Sequence, residues 1–160
     1  MGIFTGINAS ASALTAQRLR MDVISNNIAN MDTTNTGRTT EAGNPIPYRR
    51  QVTIFQPRPS EHKFSTLLEK EQHSLSSCGV QVSAILEDNS PLRLEYEPNS
   101  PDAAQQEELG VPVGYVRYPN VNIVTEMIDL ISASRSYEAN VTALNASKAM
   151  AAKALEIGKE

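Results

Sequence analysis

The sequence is poor in cysteine, aromatic residues and long apolar runs. Its 160 residues include one cysteine, no tryptophan, three phenylalanines and five tyrosines. A single thiol excludes an internal disulfide and a cysteine cluster for zinc. So few aromatic side chains are a thin supply for a self-sufficient globular core. No apolar run reaches the roughly 18 residues that a membrane-spanning helix needs.

The excess of one sign of charge over the other is also small. Fourteen Lys and Arg against eighteen Asp and Glu give a net charge of −4, so electrostatics gives no reason to expect a nucleic-acid partner. A secretory signal needs early basic residues before an apolar stretch, but the first basic residue is Arg18 and polar residues interrupt positions 3–16. On these grounds alone the sequence predicts a cytosolic protein.

Proline is missing from both ends of the chain. All nine prolines lie between Pro45 and Pro119. Because proline interrupts a helix at a cost of about 3 kcal/mol, this distribution predicts two helical arms, 1–34 and 119–160, around a middle module, 35–118.

Each arm carries a narrow apolar stripe with steps of 3, 4 and 7 residues, which is typical of a coiled-coil seam. Eight alanines between Ala133 and Ala154 would let helix backbones approach closely. Burying the stripes returns less free energy than ordering the two arms costs. We therefore expect other copies or other chains to complete the arms.

The middle module alternates apolar and polar residues with the period of a strand. This alternation covers Tyr48–Ile54, Val80–Leu86 and Leu92–Tyr96, with Asp88–Pro91 predicted as the hairpin loop joining the last two. Residues 60–78 are predicted to hold one or two helix turns. The predicted fold class is mainly α with a small β module (α+β), in which long coiled-coil-forming terminal helices flank a short antiparallel β region of about three to five strands.

Three asparagines stand in the five positions from Asn26 to Asn30. Asparagine is a mediocre helix former, so this density needs a reason. One interpretation is that the helix terminates here. The other is that the carboxamides, which carry two donors and an acceptor, bind backbone groups of a neighbouring chain. The composition favours neither.

Candidate chemistry is sparse. Glu69 and His73 could face a metal from one helix turn, but a solvated surface turn is the far commoner interpretation, and Cys78 has no histidine placed by a motif to activate it. No glycine-rich phosphate motif is present. Arg49 and Arg50 are interpreted as ordinary surface charge rather than as a phosphate or acidic-partner site. We expect no catalytic residues, no cofactor and no metal.

Both ends of the chain resemble a known family. Residues 10–36 read SASALTAQRLRMDVISNNIANMDTTNT and residues 119–140 read PNVNIVTEMIDLISASRSYEAN. These stretches are similar to the terminal signatures of the axial proteins of the bacterial flagellum, the rod, hook and hook-associated family. Tyr48–Arg50 and Pro98–Ala103 add matches in the middle, and the similarity is greatest to basal-body rod proteins of the proximal rod.

The resemblance implies a structural subunit that assembles helically through its terminal helices and transmits motor torque. The implied partners are further copies, other rod subunits, the adaptor that joins rod to membrane ring, and the flagellar type III export apparatus during transit. Such export uses no cleaved signal peptide and would place the chain in the basal body, outside the inner membrane. The alternative is a cytoplasmic coiled-coil adaptor that binds a partner helix. The predicted assembly positions are Ile7, Leu14, Met21, Ile24, Asn26, Asn27, Ile28, Asn30, Met127, Leu130, Tyr137, Val141 and Leu144.

Overall fold

The computed structural model describes residues 3–58, 79–108 and 110–157, with side chains from residue 5 onwards. This part of the chain contains two long helices around four short strands, which confirms the predicted α+β class. The elements are α1 (Ile3–Ala29), β1 (Gln51–Pro57), β2 (Val80–Glu87), β3 (Arg93–Tyr96), β4 (Tyr115–Tyr118) and α2 (Ile123–Ile157). The predicted turns at 60–78, together with Glu69, His73 and Cys78, lie outside the described residues.

Asparagine side chains set the inner ends of both helices. At the end of α1, the Asn26 carbonyl accepts both the Asn30 backbone N–H at 3.1 Å and the Asn30 side-chain amide at 2.9 Å. At the start of α2, the Asn122 carboxamide oxygen accepts the backbone N–H groups of Val124 at 3.0 Å and Thr125 at 3.4 Å. Asn122 is therefore an N-cap that satisfies donors at the helix start.

The four strands form two separate two-stranded sheets, β1 with β2 and β3 with β4. In the first sheet the Arg58 N–H donates to the Gly79 carbonyl at 3.0 Å, and the Asp88 N–H donates to the Arg50 carbonyl at 2.8 Å. The first bond joins the end of β1 to the start of β2, and the second joins the start of β1 to the end of β2, so the pairing is antiparallel. In the second sheet the antiparallel register pairs Arg93 with Tyr118.

The hairpin predicted at Asp88–Pro91 is wrong, because this loop connects one sheet to the other. The local turn chemistry is present, since the Asp88 carboxylate accepts the Ser90 N–H at 2.9 Å. However, the Asn120 amide donates to the carbonyls of Asp88 at 3.0 Å and Ser90 at 3.4 Å. The chain is thereby held at the loop, and the next strand pairs with β4 instead of β2.

Close contacts divide the chain into two compact units. Unit 1 comprises Met1–Met21, Thr53–Ala84 and Ser132–Glu160, and among its described side chains Ala16 and Ala133 are buried. Unit 2 comprises Asp22–Val52 and Ile85–Ile131. Its buried apolar residues are Val23, Ile24, Ala103, Ala104, Val111 and Val116.

In unit 1 a serine of α1 holds the start of β2. The Ser12 hydroxyl donates to the Ala9 carbonyl at 2.7 Å and accepts the Val80 N–H at 3.0 Å. Gly79, just before the strand, has φ of 109°, and a Cβ at this position would overlap the Ser12 hydroxyl. Glycine is therefore required here both by backbone conformation and by space.

Candidate assembly surface

The first turns of α2 bury a charge and expose apolar side chains. Glu126 is 0% exposed. At roughly 100° per residue, positions 124, 127, 128 and 131 fall on the side of α2 that faces away from Glu126, and position 123 lies at the edge of that side. We name this surface the start patch: Ile123, Val124, Met127, Ile128 and Ile131, which are 41, 62, 52, 63 and 54% exposed.

The opposite side of these turns is occupied by a polar junction. The Arg50 guanidinium lies 2.6 Å from Glu126 through Nε, 3.5 Å from Asp129 and 3.6 Å from Asp88. One cation thus faces three carboxylates, and the closest of them is completely buried. The polar junction consists of Asn27, Tyr48, Arg50, Gln51, Asp88, Glu126 and Asp129.

Asn27 joins α1, β1 and α2 within this junction. Its amide donates to the Gln51 carbonyl at 2.8 Å and to Glu126 at 3.0 Å. Its carboxamide oxygen accepts the Gln51 N–H and the Tyr48 hydroxyl, both at 2.9 Å. The Asn27 carboxamide therefore binds both backbone polar groups of Gln51, as the peptide group of a neighbouring strand would, because a carboxamide supplies donor and acceptor together.

The surroundings keep the junction groups in defined ionisation states. Burial alone would lower the pKa of Arg50, but the hydrogen bond and charge of Glu126 outweigh it and hold this pKa above its usual value. Burial raises the pKa of Tyr48, and the negative charge of Glu126 adds to the effect. Hydrogen bonds from Ser90 hold the pKa of Asp88 below its usual value. The guanidinium therefore stays charged, and the phenol stays a neutral donor.

A junction of this kind specifies geometry more than it stabilises. Desolvation of a buried ion pair offsets much of its attraction, whereas loss of one partner leaves an uncompensated charge and costs about 3 to 5 kcal/mol. The hydrogen bonds and the ion pair of Asn27, Arg50 and Glu126 form only when the end of α1, the start of β1 and the start of α2 meet. The junction therefore fixes how α2 begins and which side of it carries the start patch.

The interpretation of Arg50 as ordinary surface charge is wrong, since its guanidinium is only 23% exposed and binds Glu126. Glu126 and Asn120 were not among the predicted site residues. A signal for Glu126 existed, because it stands four positions before Leu130 and so has the phase of the predicted stripe.

The three asparagines of α1 have different roles. Asn30 directly follows the last residue of α1, where one interpretation placed the helix end, and its amide donates to the Asn26 carbonyl. Asn27 binds backbone groups, as the other held, but the bonds described for it lie within its own chain and it is 1% exposed. Asn26 presents an exposed side chain beside them. Its part in contacts between subunits stays a prediction.

The predicted stripes occupy the less exposed sides of both helices. Ile24 and Asn27 are buried, whereas Asn26 and Met127 are exposed. Met127 belongs to the start patch, and Leu130, three positions on, is only partly exposed. The role of these positions in assembly stays a prediction. The remaining predicted positions are all half-buried: Ile7, Leu14, Met21, Ile28, Asn30, Leu130, Tyr137, Val141 and Leu144.

A second group of exposed apolar residues lies near the other end of α2. We name it the end patch: Met150, Leu155 and Ile157, which are 60, 74 and 79% exposed. Between the two patches the exposed positions of α2 are mostly polar or small, and they include Ser132, Arg135, Glu138 and Thr142. Leu155 and Ile157 are two positions apart and therefore point to nearly opposite sides of the helix, so these three residues do not form one continuous surface.

None of the helices in the described residues has an apolar stretch of the length that a bilayer requires. In the same part of the chain, no group of three or more His, Cys, Asp or Glu side chains is placed to hold a metal ion.

Comparison with known proteins matches both ends of the chain to flagellar families. The family model described as "Flagella basal body rod protein" matches residues 7–35, and "Flagellar basal body rod FlgEFG protein C-terminal" matches residues 113–157. The flagellar basal-body rod protein FlgC of Bacillus subtilis is 48% identical over 99% of this chain and 100% of its own length. That of Borreliella burgdorferi is 48% identical over 98% of both chains. That of Escherichia coli O6:H1 is 35% identical over 99% of this chain and all of its own length. With terminal segments and full length both matched, the chain belongs to the flagellar basal-body rod protein family.

Proposed function

We propose that this chain is a structural subunit of the flagellar basal-body rod, which transmits motor torque and assembles with other rod subunits through its terminal helices. The observation that carries the proposal for this chain's own residues is the start patch. Five large apolar side chains on neighbouring turns of α2 are between 41 and 63% exposed, and none of the residues that the structure describes covers that exposed area.

Covering the start patch in a subunit contact would stabilise the assembly. Complete burial of one such side chain stabilises by about 1.5 to 3 kcal/mol, so covering the exposed half of each returns roughly half of that. Contiguous apolar patches of this kind mark interaction sites rather than ordinary surface. Because the buried polar junction holds the opposite side of the same turns, the patch is presented without further rearrangement.

The finer assignments follow the rod relatives. We place this chain in the proximal rod, with the arms 1–34 and 119–160 in the inner tube and the module 35–118 outside it. Its partners are further copies, other rod subunits and the adaptor joining the rod to the membrane ring. It reaches the basal body, outside the inner membrane, through the flagellar type III export apparatus without a cleaved signal. Similarity to three FlgC relatives over nearly the full length of the chain supports these assignments.

The inner stripe also belongs to the proposal. Leu14, Tyr137 and Leu144 are half-buried in a single subunit, so each keeps apolar area that a neighbouring helix can cover. Their contribution to assembly is smaller than that of the start patch, because less of each side chain remains accessible.

The test is Ile128→Asp, with Ser132→Asp as the matched control at an exposed polar position four residues on. Ile128 is 63% exposed, so the monomer should unfold within about 0.5 kcal/mol of wild type. We expect Ile128→Asp to be missing from purified basal bodies and to abolish motility, whereas Ser132→Asp is incorporated. Normal incorporation of Ile128→Asp contradicts the proposal, and recovery of the wild-type chain only as a discrete cytosolic dimer supports a coiled-coil adaptor instead.

A further inference from the structure

The loop between β2 and β3 contains an asparagine whose side chain is not held in place. Asn89 is exposed and lies outside the strands, and its carboxamide makes no hydrogen bond within the described part of the chain. The next residue is Ser90, whose small side chain leaves its backbone nitrogen open to approach. In this setting an asparagine side chain can react with the backbone nitrogen that follows it, closing a succinimide ring.

The other asparagines are held more firmly, with one exception. Five of the twelve lie in the helices, where the N–H group that follows them belongs to the helical ladder: Asn8, Asn26, Asn27, Asn140 and Asn145. Five more make hydrogen bonds through their side chains: Asn30, Asn35, Asn44, Asn120 and Asn122. The exception is Asn99, which is exposed and followed by serine, as Asn89 is. The chain therefore contains a matched pair of Asn-Ser sites.

The two serine nitrogens of this pair have different partners. The Ser100 N–H donates to the Glu97 carbonyl at 3.1 Å, and a neutral carbonyl is too weak a base to take its proton. The Asp88 carboxylate instead accepts the Ser90 N–H at 2.9 Å and the Ser90 hydroxyl at 2.5 Å. These bonds hold the pKa of Asp88 below its usual value, so the carboxylate is ionised at neutral pH. A positioned carboxylate in contact with an N–H group can act as its general base.

We propose that Asn89 is a site of spontaneous deamidation, with Asp88 as the general base. The Ser90 nitrogen forms a bond to Cγ of Asn89 as Asp88 accepts the N–H proton. The bond from Cγ to Nδ2 then breaks, and Nδ2 leaves as ammonia with that proton. Water opens the resulting succinimide at one carbonyl or the other, which gives aspartate or isoaspartate. This inference does not depend on the proposed function.

Either product changes the contacts of the loop. The Asn120 amide donates to the carbonyls of Asp88 at 3.0 Å and Ser90 at 3.4 Å, which lie on both sides of Asn89. Isoaspartate adds a carbon to the main chain between these carbonyls and so displaces one of them from the amide. Aspartate adds a negative charge next to Asp88, which is already one of three carboxylates that face Arg50. The modification therefore acts on the polar junction as well as on the loop.

The experiment follows both Asn-Ser sites in the same molecule. The purified full chain is incubated at neutral pH, folded and in urea, and mass spectrometry measures deamidation in the peptides that contain Asn89 and Asn99. Enzymatic carboxyl methylation measures isoaspartate in the same peptides. Asp88→Ser removes the base and keeps a hydrogen-bond acceptor, and Asn89→Ala confirms which residue gives the product.

We expect Asn89 to react at least about tenfold faster than Asn99 in the folded chain, because a positioned general base contributes at least this much. The two rates should become similar in urea and in Asp88→Ser. Equal rates at the two sites of the folded wild type overturn the proposal. A rate at Asn89 that is unchanged or higher in Asp88→Ser overturns it too, because the carboxylate is then idle or protective. If circular dichroism shows that Asp88→Ser is unfolded, the wild type decides: a ratio of the two rates that is the same with and without urea overturns the proposal.

Discussion

The two sides of the first turns of α2 reverse the usual distribution of residues. Glu126 is 0% exposed, whereas its neighbours Met127 and Ile128 are 52 and 63% exposed. Charged side chains are almost never fully buried unless paired, and large aliphatic residues on a helix normally face the core. The inner side is therefore specified by one set of hydrogen bonds, whereas the outer side is the surface that we propose for subunit contact.

Among the substitutions of the polar junction, Arg50→Ala should have the largest effect on the free energy of unfolding. It leaves Glu126 buried without its cation, and we expect it to lower the free energy of unfolding by about 3 kcal/mol or more. Urea denaturation of the purified subunit measures this, with Arg135→Ala as an exposed control expected within about 0.5 kcal/mol of wild type.

A double replacement separates charge from packing. If the loss in Arg50→Ala comes from the uncompensated carboxylate, Arg50→Met with Glu126→Leu should recover most of it, because apolar replacements of buried pairs are often neutral. A double variant as unstable as Arg50→Ala contradicts that explanation.

Asn27→Ala is the next largest effect and has a matched neighbour. The substitution leaves both polar groups of Gln51 without the partner seen at 2.8 and 2.9 Å. We expect a loss of about 2 to 3 kcal/mol in thermal or urea unfolding. Asn26→Ala, one position earlier and exposed, should cost less than about 0.5 kcal/mol. Equal effects would mean that the asparagines act through helix propensity alone.

Gly79→Ala extends the comparison to unit 1. A methyl group there overlaps the Ser12 hydroxyl at a φ of 109°, and we expect a loss of about 2 kcal/mol from strain and displacement together. Gly110→Ala has a φ of 86° with open space around it, so it should show the backbone part only, about 1 kcal/mol. Equal unfolding midpoints for the two variants would remove Ser12 from the explanation.

Tyr48→Phe should have the smallest effect on stability, and it tests how the ionisation of one junction group contributes. Near neutral pH it removes one hydrogen bond, worth about 1 kcal/mol. The folded-state pKa of Tyr48 is raised above its ordinary value of 10.0, so its contribution is fully present below that value and is lost as pH rises through the folded pKa. Wild type should therefore lose stability faster than Tyr48→Phe as the pH rises above about 10. Tyr118, whose pKa is also raised, is common to both proteins and cancels in the difference.

Periodicity predicted the elements well but not their tertiary partners. The stripe positions Leu130, Tyr137 and Leu144 all fall on the less exposed side of α2, because a repeat of 3 and 4 residues is a local property. The pairing of β3 with β4 was missed, because turn residues at Asp88–Pro91 predict a bend and not the strand that follows it.

The polar junction was beyond the reach of local pattern for a related reason. An acidic residue in the first turn of a helix normally indicates an exposed side chain that favours the dipole. Burial of Glu126 depends on Arg50, 76 positions earlier, and on Asn27, 99 positions earlier. The density of asparagines from Asn26 to Asn30 singled out Asn27 as a candidate, but it did not identify Gln51 or Glu126 as its partners.

The bond between Asn27 and Glu126, which joins residues 99 positions apart, also has a kinetic consequence. A chain that emerges with its amino terminus first cannot form this bond until about four-fifths of its length is free, and long-range contacts of this kind are slow to close. Until then Asn27 and Arg50 lack Glu126 as a partner, although Gln51 and Asp88 are already available to them. The last quarter of the polypeptide thus determines when the junction is completed, because the bond between the two terminal helices cannot form before the carboxyl-terminal helix is present.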